Sequence, residues 1–432
     1  MPTMSKTLSF ITLAFTLSLS PIASAELVTY NANYTFQEVN SSKGTATARP
    51  MIAAIQMASI GLSNTAYVPT DEATLLDICK KKTPDNTTWW EECNPAGLAT
   101  AATDHFSFQQ WVVSSAPATV TGQLSSINKA LIGLVYRGSP AVMPLYGRSD
   151  HWLTIRTMQA DLVSNPPILA KVYFYDSGPS PEEDLDQNIY EDGLKLFSGA
   201  VFKTTFFKLL DDDTLEGDSL WDRYVVFTGY ESGTPLVQAP NQTLKAIEFG
   251  GSEPMLGSEL LDAEFIASIA FDVLDMEGIS TDPAFAPLTE NALAEPQNTF
   301  EIYTPEEIGP FYFLTLLTDS NDGRPMGTVG IGASGEFLFA HVFPRRDSHP
   351  CDLEVMSPEL AAERSKTGLA EGEYPQGQSD TVVWRANHTG AGPNAPWYEL
   401  KIEDGRTGRA RTVRVPLLSS ECSSTPTHRA GE

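Results

Sequence analysis

Cysteine, histidine and positive charge are all scarce in this chain of 432 residues. It contains 4 Cys, 6 His, and 28 Lys and Arg against 55 Asp and Glu, giving a formal net charge of -27. Such an acidic balance repels the phosphates of nucleic acid and the headgroups of anionic lipid, which excludes both as partners. No CxxC spacing occurs, which argues against a zinc site. We therefore expect neither a metal ion nor a cofactor.

A long apolar run occurs only at the amino terminus. Residues 1–25 contain a single Lys, then LSFITLAFTLSLSPIA, then Ala23-Ser24-Ala25. This layout is typical of a secretory signal peptide with a small-residue cleavage site. No later segment has the roughly 18 consecutive apolar residues of a membrane span. The sequence therefore predicts an exported protein, secreted or periplasmic, whose mature chain begins near Glu26 and has no membrane span.

Four cysteines in an exported chain most simply form two disulfides. Cys79 and Cys93 bracket a short loop, and a Cys351–Cys422 pair would tie the tail to the rest of the chain. Other pairings remain open from the sequence.

Helical patterns come first along the chain and strand patterns follow. Because they do not alternate, this order favours an α+β fold over βαβ units. A chain of this length exceeds one ordinary core. We predict a signal peptide over 1–25, an α+β domain over 26–235, a connecting helical segment over 236–298, and a small antiparallel β-rich module over 299–432. Within them, we expect helices over 49–62, 70–82, 125–138 and 258–278, and a turn followed by a short helix over 92–105. We expect strands at AVMPLY, HWLTIR, AKVYFYDS, 201–210, 222–230 and in hairpins after Thr299.

The residues with the clearest chemical potential are His151 and Asp176. His151 begins one predicted strand and Asp176 ends the next, so pairing of these strands would bring the two residues to one sheet edge. A nucleophilic hydrolase needs a nucleophile, a His that accepts its proton, and a carboxylate or amide that orients the His. His151 and Asp176 could fill the last two roles.

The order and spacing of several segments over residues 30–180 resemble those of papain-like cysteine peptidases. The similarity is to a secreted bacterial branch with leader-processing and effector-type members. The segments that carry it are PMIAAIQM, ICKKKTPDNTTWWEECNPAG, SSINKALIGLVYRGSPAVM, SDHWLTI and YFYDS. The resemblance implies a papain-like fold in which His151 is the general base, Asp176 orients it, and Gln37 donates to the oxyanion.

The nucleophilic Cys of that family is missing here. Pro50 stands where the helix should carry it, and no Cys occurs between residues 26 and 78. Thr45 is the candidate replacement, with Ser42 and Thr47 as alternatives, although a hydroxyl is a weaker nucleophile than a thiol. Cys79 and Cys93 fit a structural disulfide better than a catalytic role.

Three hypotheses follow for the function. The first is a catalytically degenerate peptidase homologue, a pseudoenzyme that binds a peptide or protein in the former active-site cleft. The second is an active hydrolase that uses a Ser or Thr nucleophile with His151 and Asp176. The third is a structural or cell-envelope protein in which these two residues are ordinary strand positions.

Three other features have simpler interpretations. The acidic loop over 176–193 lacks the residue order of an EF-hand, so we expect it to be solvated rather than to bind calcium. His341, His349 and Cys351 lack a second compact ligand pair, which favours a half-disulfide over a metal site. Trp384, Trp397 and Tyr398 are expected to pack across strands rather than to form a ligand-binding patch.

Overall fold

The computed structural model describes the chain in separate stretches, and every structural statement below concerns these residues. They are 27–31, 49–62, 72–83, 92–106, 109–117, 119–137, 141–145, 151–176, 193–206, 223–231, 246–251, 261–304, 311–343, 352–366, 369–370, 372–375, 381–384 and 393–421.

Several of the described helices begin at residues whose side chains accept from their first backbone N–H groups. Asn94 Oδ1 accepts from Gly97 N at 2.6 Å, and Asp262 Oδ1 accepts from Phe265 N at 2.7 Å. Such N-caps stabilise a helix by about 1 kcal/mol. The helices are α1 Arg49–Leu62, α2 Glu72–Lys82, α3 Pro95–His105, α4 Val120–Arg137, α5 Gly199–Phe206, α6 Ala263–Met276, α7 Ala286–Thr289 and α8 Pro358–Arg364.

The described strands form one large sheet and one small ribbon. The strands are β1 Val28–Asn31, β2 Gln109–Pro117, β3 Ala141–Leu145, β4 His151–Asp161, β5 Ile168–Asp176, β6 Gly193–Ser198, β7 Arg223–Glu231, β8 Glu248–Phe249, β9 Ala292–Tyr303, β10 Tyr312–Asp319, β11 Pro325–Gly332, β12 Phe337–Val342, β13 Asp352–Val355, β14 Glu373–Pro375, β15 Val382–Val383, β16 Trp397–Asp404, β17 Ala410–Pro416 and β18 Leu418–Glu421.

The large sheet is mostly antiparallel. Its order is β14-β16-β15-β9-β10-β11-β12-β6-β5-β4-β3-β7-β2, with β1 beside β4, β8 beside β5 and β17 beside β16. Strands β13 and β18 form the separate ribbon. Helices and a largely antiparallel sheet confirm the predicted α+β class, whereas the papain-like arrangement stays a prediction. Pairing of β6 with β12 carries the sheet across the division predicted at residue 299.

Most of the predicted elements are confirmed, but the strand expected over 201–210 is wrong for 201–206, and 207–210 lie outside the described residues. Residues Gly199–Phe206 form α5, whose side chains at Val201, Phe202, Thr205 and Phe206 are buried. The β-branched and aromatic composition suggested a strand, yet Phe202 and Phe206 have the i, i+4 spacing of one helix face. Gly199 allows the close approach of this turn to β5, because a Cβ there would lie 2.0 Å from the Leu169 carbonyl oxygen.

The helix predicted over 258–278 is confirmed as α6, which begins later, after its cap Asp262. Its C-terminal end is bound to the sheet by the nearly buried Lys171 of β5. Lys171 Nζ donates to the Glu277 carbonyl oxygen at 2.8 Å and lies 2.6 Å from Glu277 Oε2. A cation at this end of a helix also complements the helix dipole.

The aromatic residues of the carboxy-terminal strands pack in the core, as predicted. Trp384, Trp397 and Tyr398 are all buried in the largest hydrophobic cluster. Trp384 stacks on Phe311 with ring centroids 6.2 Å apart. These rings therefore stabilise the sheet and do not form a surface patch.

Among the helices of the described ranges, none combines the length and the apolar character needed to cross a membrane.

Candidate functional site

The structure brings the backbone positions of His151 and Asp176 together. His151 is the first residue of β4 and Asp176 is the last residue of β5, and the two strands are antiparallel neighbours. Asp176 lies opposite Leu153, so His151 occupies the diagonal position on the next strand. Diagonal positions of this kind have Cα atoms about 7–8 Å apart. The predicted strand pairing is confirmed, and the chemical roles of the two side chains stay predictions.

The other residues proposed for catalysis lie outside the described residues. These are Gln37, Ser42, Thr45 and Thr47. The acidic loop after Asp176, His349 and the proposed Cys351–Cys422 pair also fall there. The oxyanion donor, the replacement nucleophile and the second disulfide therefore stay predictions.

Helix α1 packs on one particular face of β4. Thr154 Oγ1 donates to the Ala54 carbonyl oxygen at 3.0 Å, and Trp152 is buried in the cluster that contains α1, α2 and α3. The alternate residues of β4, Leu153 and Ile155, belong to the cluster that contains α4. Because successive strand residues alternate between faces, α1 covers the face of residues 152 and 154.

This alternation sets the position of α1 relative to the predicted pair. Along β4, position 151 is in phase with Leu153, and the register places Asp176 directly opposite Leu153. In the alternation of the sheet, positions 151 and 176 therefore belong to the opposite set from Trp152 and Thr154, the two β4 residues that pack against α1. In the papain-like hypothesis, the same helix must carry the nucleophile.

The sequence of α1 itself offers no nucleophile in its first turns. Its buried residues from Met51 to Ala58 are apolar except Gln56, and Ser59 provides its first hydroxyl. Ser59 lies more than two turns from the start of the helix. The amino-terminal end of α1 thus lacks the thiol that a papain-like enzyme needs there.

The two described cysteines form a disulfide. Cys79 of α2 and Cys93, just before α3, are bonded, and both side chains are fully buried. The predicted Cys79–Cys93 pairing is confirmed, and neither sulfur is available as a thiolate. Within the described residues, no group of three or more His, Cys, Asp or Glu side chains could hold a metal ion.

A row of buried polar side chains crosses three strands next to β5. Thr328 of β11 lies opposite His341 of β12, which lies opposite Lys195 of β6. Thr328 and His341 are fully buried and Lys195 is 3% exposed. Asn394 Nδ2 is 3.4 Å from His341 Nδ1. We call Thr328, His341, Lys195 and Asn394 the polar row.

The polar row extends from the strand that neighbours Asp176. Gly193 of β6 lies opposite Asp176, and Lys195 is two residues further along the same strand. Sequence reasoning did not connect these residues. The signal available was a single polar residue inside an otherwise apolar strand, Lys195 in GLKLFS and His341 in FLFAHV. Buried Lys is rare in proteins, and a buried ionised group needs compensating polar contacts.

Tyr312 anchors the segment that carries Asn394. Its hydroxyl donates to the carbonyl oxygen of Pro393, the residue before Asn394. Complete burial raises the pKa of Tyr312 well above its ordinary value. The hydroxyl therefore remains protonated, and this donor persists across the physiological pH range.

Two oxygen atoms of the polar row make no hydrogen bond to any part of the chain that the structure describes. They are Thr328 Oγ1 and Asn394 Oδ1. Leaving a buried polar group unsatisfied costs about 1–3 kcal/mol. The two unsatisfied oxygens of the polar row therefore lower the stability of the fold.

Replacing Thr328 with Val is expected to maintain or raise stability, by up to about 1 kcal/mol, because it removes an unsatisfied hydroxyl without changing the shape. The matched control is Thr154→Val, which deletes the hydrogen bond to Ala54 and should lower stability by about 1 kcal/mol. Urea unfolding of the two variants measures the difference. A clear loss in Thr328→Val would show that its hydroxyl has a stabilising partner.

Comparison with known proteins gives the chain no family. No family model matches it, and no curated protein sequence matches it. The resemblance to papain-like peptidases therefore stays a prediction.

Proposed function

We propose that the protein is an exported, catalytically inactive homologue of papain-like peptidases that binds a peptide or an unfolded protein segment. The proposed contact region is the end of the sheet where β4 begins and β5 ends. His151 and Asp176 act there as ligand-binding residues and not as a base and its orienting partner.

The observation that carries this proposal is the packing of α1 against Trp152 and Thr154. Helix α1, which the resemblance matches to the nucleophile helix of the family, covers the face of β4 that is out of phase with position 151. Its first turns contain no Cys, Ser or Thr. A pair without a nucleophile can still bind, since an imidazole donates to peptide carbonyl groups and a carboxylate accepts from peptide N–H groups.

The charge of the chain favours a particular class of peptide. A formal net charge of -27 attracts cationic segments and accelerates their association at low ionic strength. We therefore assign Lys- and Arg-rich unstructured segments as the preferred ligands. The active-hydrolase alternative depends on Ser42, Thr45 or Thr47, and no observation favours it.

The test uses the mature chain and a fluorescently labelled, unstructured protein rich in Lys and Arg. We expect saturable binding by fluorescence anisotropy and no cleavage above the level of the His151→Ala variant. Hydrogen bonds to charged groups contribute about 1.5–3 kcal/mol, so His151→Ala and Asp176→Ala should each weaken binding by about tenfold or more. His105→Ala, at the end of α3, is the matched control and should bind like the unchanged protein.

Two results would contradict the proposal in different ways. Cleavage that disappears in His151→Ala would establish the hydrolase alternative. Absence of binding, or binding that neither His151→Ala nor Asp176→Ala weakens, would leave the structural alternative.

A further inference from the structure

Strand β2 forms one edge of the large sheet. It pairs with β7 along all nine of its residues, and no other described strand pairs with it. Its sequence, QQWVVSSAP, contains no charged residue although the whole chain is rich in Asp and Glu. Edge strands of natural proteins commonly carry charges that prevent pairing with another chain. This edge has no such protection from its own side chains.

The hydrogen bonds at the start of β2 show which backbone groups point away from β7. Trp111 N donates to Thr103 Oγ1 at 2.9 Å, and Gln109 N donates to the Phe106 carbonyl oxygen at 3.1 Å. Thr103 is in the last turn of α3, and Phe106 directly follows the helix. Alternate residues of an antiparallel strand point their backbone groups to the same side, so the odd-numbered residues of β2 face outward.

The outward groups further along the strand have no described partner. Val113 and Ser115 each present an N–H and a C=O on the side away from β7, and no hydrogen bond from the described residues reaches them. The next outward position is Pro117, which has no N–H to donate. The part of the edge that is open to a new strand thus lies between Trp111 and Pro117. The N–H of Trp111 is already bonded, and Pro117 has no N–H.

Within the described residues, this pattern of outward groups without a partner is symmetric about Ser114. We propose that a second copy of this chain adds its own β2 to this edge, antiparallel and centred on Ser114, to form a two-fold symmetric dimer. Val113 then lies opposite Ser115 of the second copy, and the two such pairs make four backbone hydrogen bonds. Pairing ends before Trp111 and Pro117, because Thr103 Oγ1 already occupies the outward side of Trp111 and Pro117 has no N–H to donate. A surface that is complementary to itself in this way is the requirement for an isologous two-fold contact.

The side chains along the edge fit the same register. Val112 is 50% exposed, and in the dimer it lies opposite Ala116 of the second copy, which covers part of its apolar surface. Two Ser114 side chains meet at the axis, so no like charges oppose each other across the new pair of strands. Elsewhere the two acidic copies repel each other, and salt screens that repulsion. We therefore expect dimerisation to strengthen as the salt concentration rises.

The direct test is a cross-link at the two-fold axis. In the proposed pairing, position 114 faces its own copy in a non-hydrogen-bonded pair, with Cα atoms about 4.5 Å apart, which a disulfide can span. The mature S114C variant should form a disulfide-linked dimer under mild oxidation, seen on a non-reducing gel. Q110C is the control on the same strand. Its two copies would be about 27 Å apart at 3.4 Å per residue, so this variant should run as a single chain on the same non-reducing gel.

A second variant tests the contact without a cross-link. S114K places like charges opposite each other at the axis and should weaken the dimer about fivefold in sedimentation equilibrium. Ser114 is partly exposed, and circular dichroism verifies that the variants fold. Equal cross-linking of S114C and Q110C, or a monomeric mass for the unchanged protein at all protein and salt concentrations, would overturn the proposal.

Discussion

Replacing Phe174 with Ala is expected to lower the free energy of unfolding by about 3–5 kcal/mol, the usual range for deletion of a buried aromatic side chain. Phe174 is completely buried on β5, with ring centroids 5.0 Å from Phe197, 5.3 Å from Phe206 and 5.7 Å from Phe202. Edge-to-face pairs of this kind add to the stabilisation from burial. Truncation to Ala would leave a cavity between α5 and the sheet.

Urea unfolding followed by intrinsic fluorescence and circular dichroism measures this effect. Phe174→Leu, which keeps much of the volume, should lose less stability than Phe174→Ala. Phe265→Ala is a second control, because Phe265 is 48% exposed on α6 and should change stability by less than about 1 kcal/mol. Equal losses in Phe174→Ala and Phe265→Ala would mean that α5 does not pack on β5 as described.

The sequence contained enough local information to predict most helices and strands. Asn94 before Pro95 is of a type that favours helix starts, and so is Asp262, although the prediction over 258–278 began its helix before Asp262. Both are present as caps. The error at α5 has the same local origin, because β-branched and aromatic residues favour strands when only composition is considered. Burial of Phe202 and Phe206 against Phe174 decides the conformation, and that contact is tertiary.

The candidate site was only partly predictable for a related reason. The adjacency of β4 and β5 follows from their order in the chain, since consecutive strands commonly pair. Which face of β4 meets α1 depends on the contact between Thr154 and Ala54, and a shift of one residue would reverse it. The polar row could not be assembled from sequence because Lys195, His341 and Thr328 come from strands whose pairing crosses the predicted division of the chain.

The position of α1 on β4 explains why the pairing of β4 with β5 does not by itself imply an active enzyme. A peptidase needs the imidazole and the nucleophile on the same side of the sheet, within hydrogen-bond reach of each other. Here the helix is fixed to the alternate face by a buried hydrogen bond and by Trp152. If the papain-like resemblance is correct, introducing a Cys near the start of α1 is therefore not expected to produce hydrolysis by itself.

Removing the Cys79–Cys93 disulfide is expected to lower the free energy of unfolding by about 3 kcal/mol. The bond closes a loop with a sequence separation of 14, and the chain-entropy model gives about 3 kcal/mol for a loop of this size. The Cys79→Ala/Cys93→Ala double variant is preferable to Ser replacements, because both positions are fully buried and a hydroxyl there would need a partner. Urea unfolding of this variant and of the unchanged protein gives the loss.

The same variant also shows which part of the fold depends on the disulfide. Because α2 and α3 lie on either side of the bond and pack with α1 and Trp152, their region should unfold first in the variant. Hydrogen exchange would locate that unfolding, and equal protection of α2 and α3 in both proteins would show that packing alone holds the three helices on the face of Trp152 and Thr154.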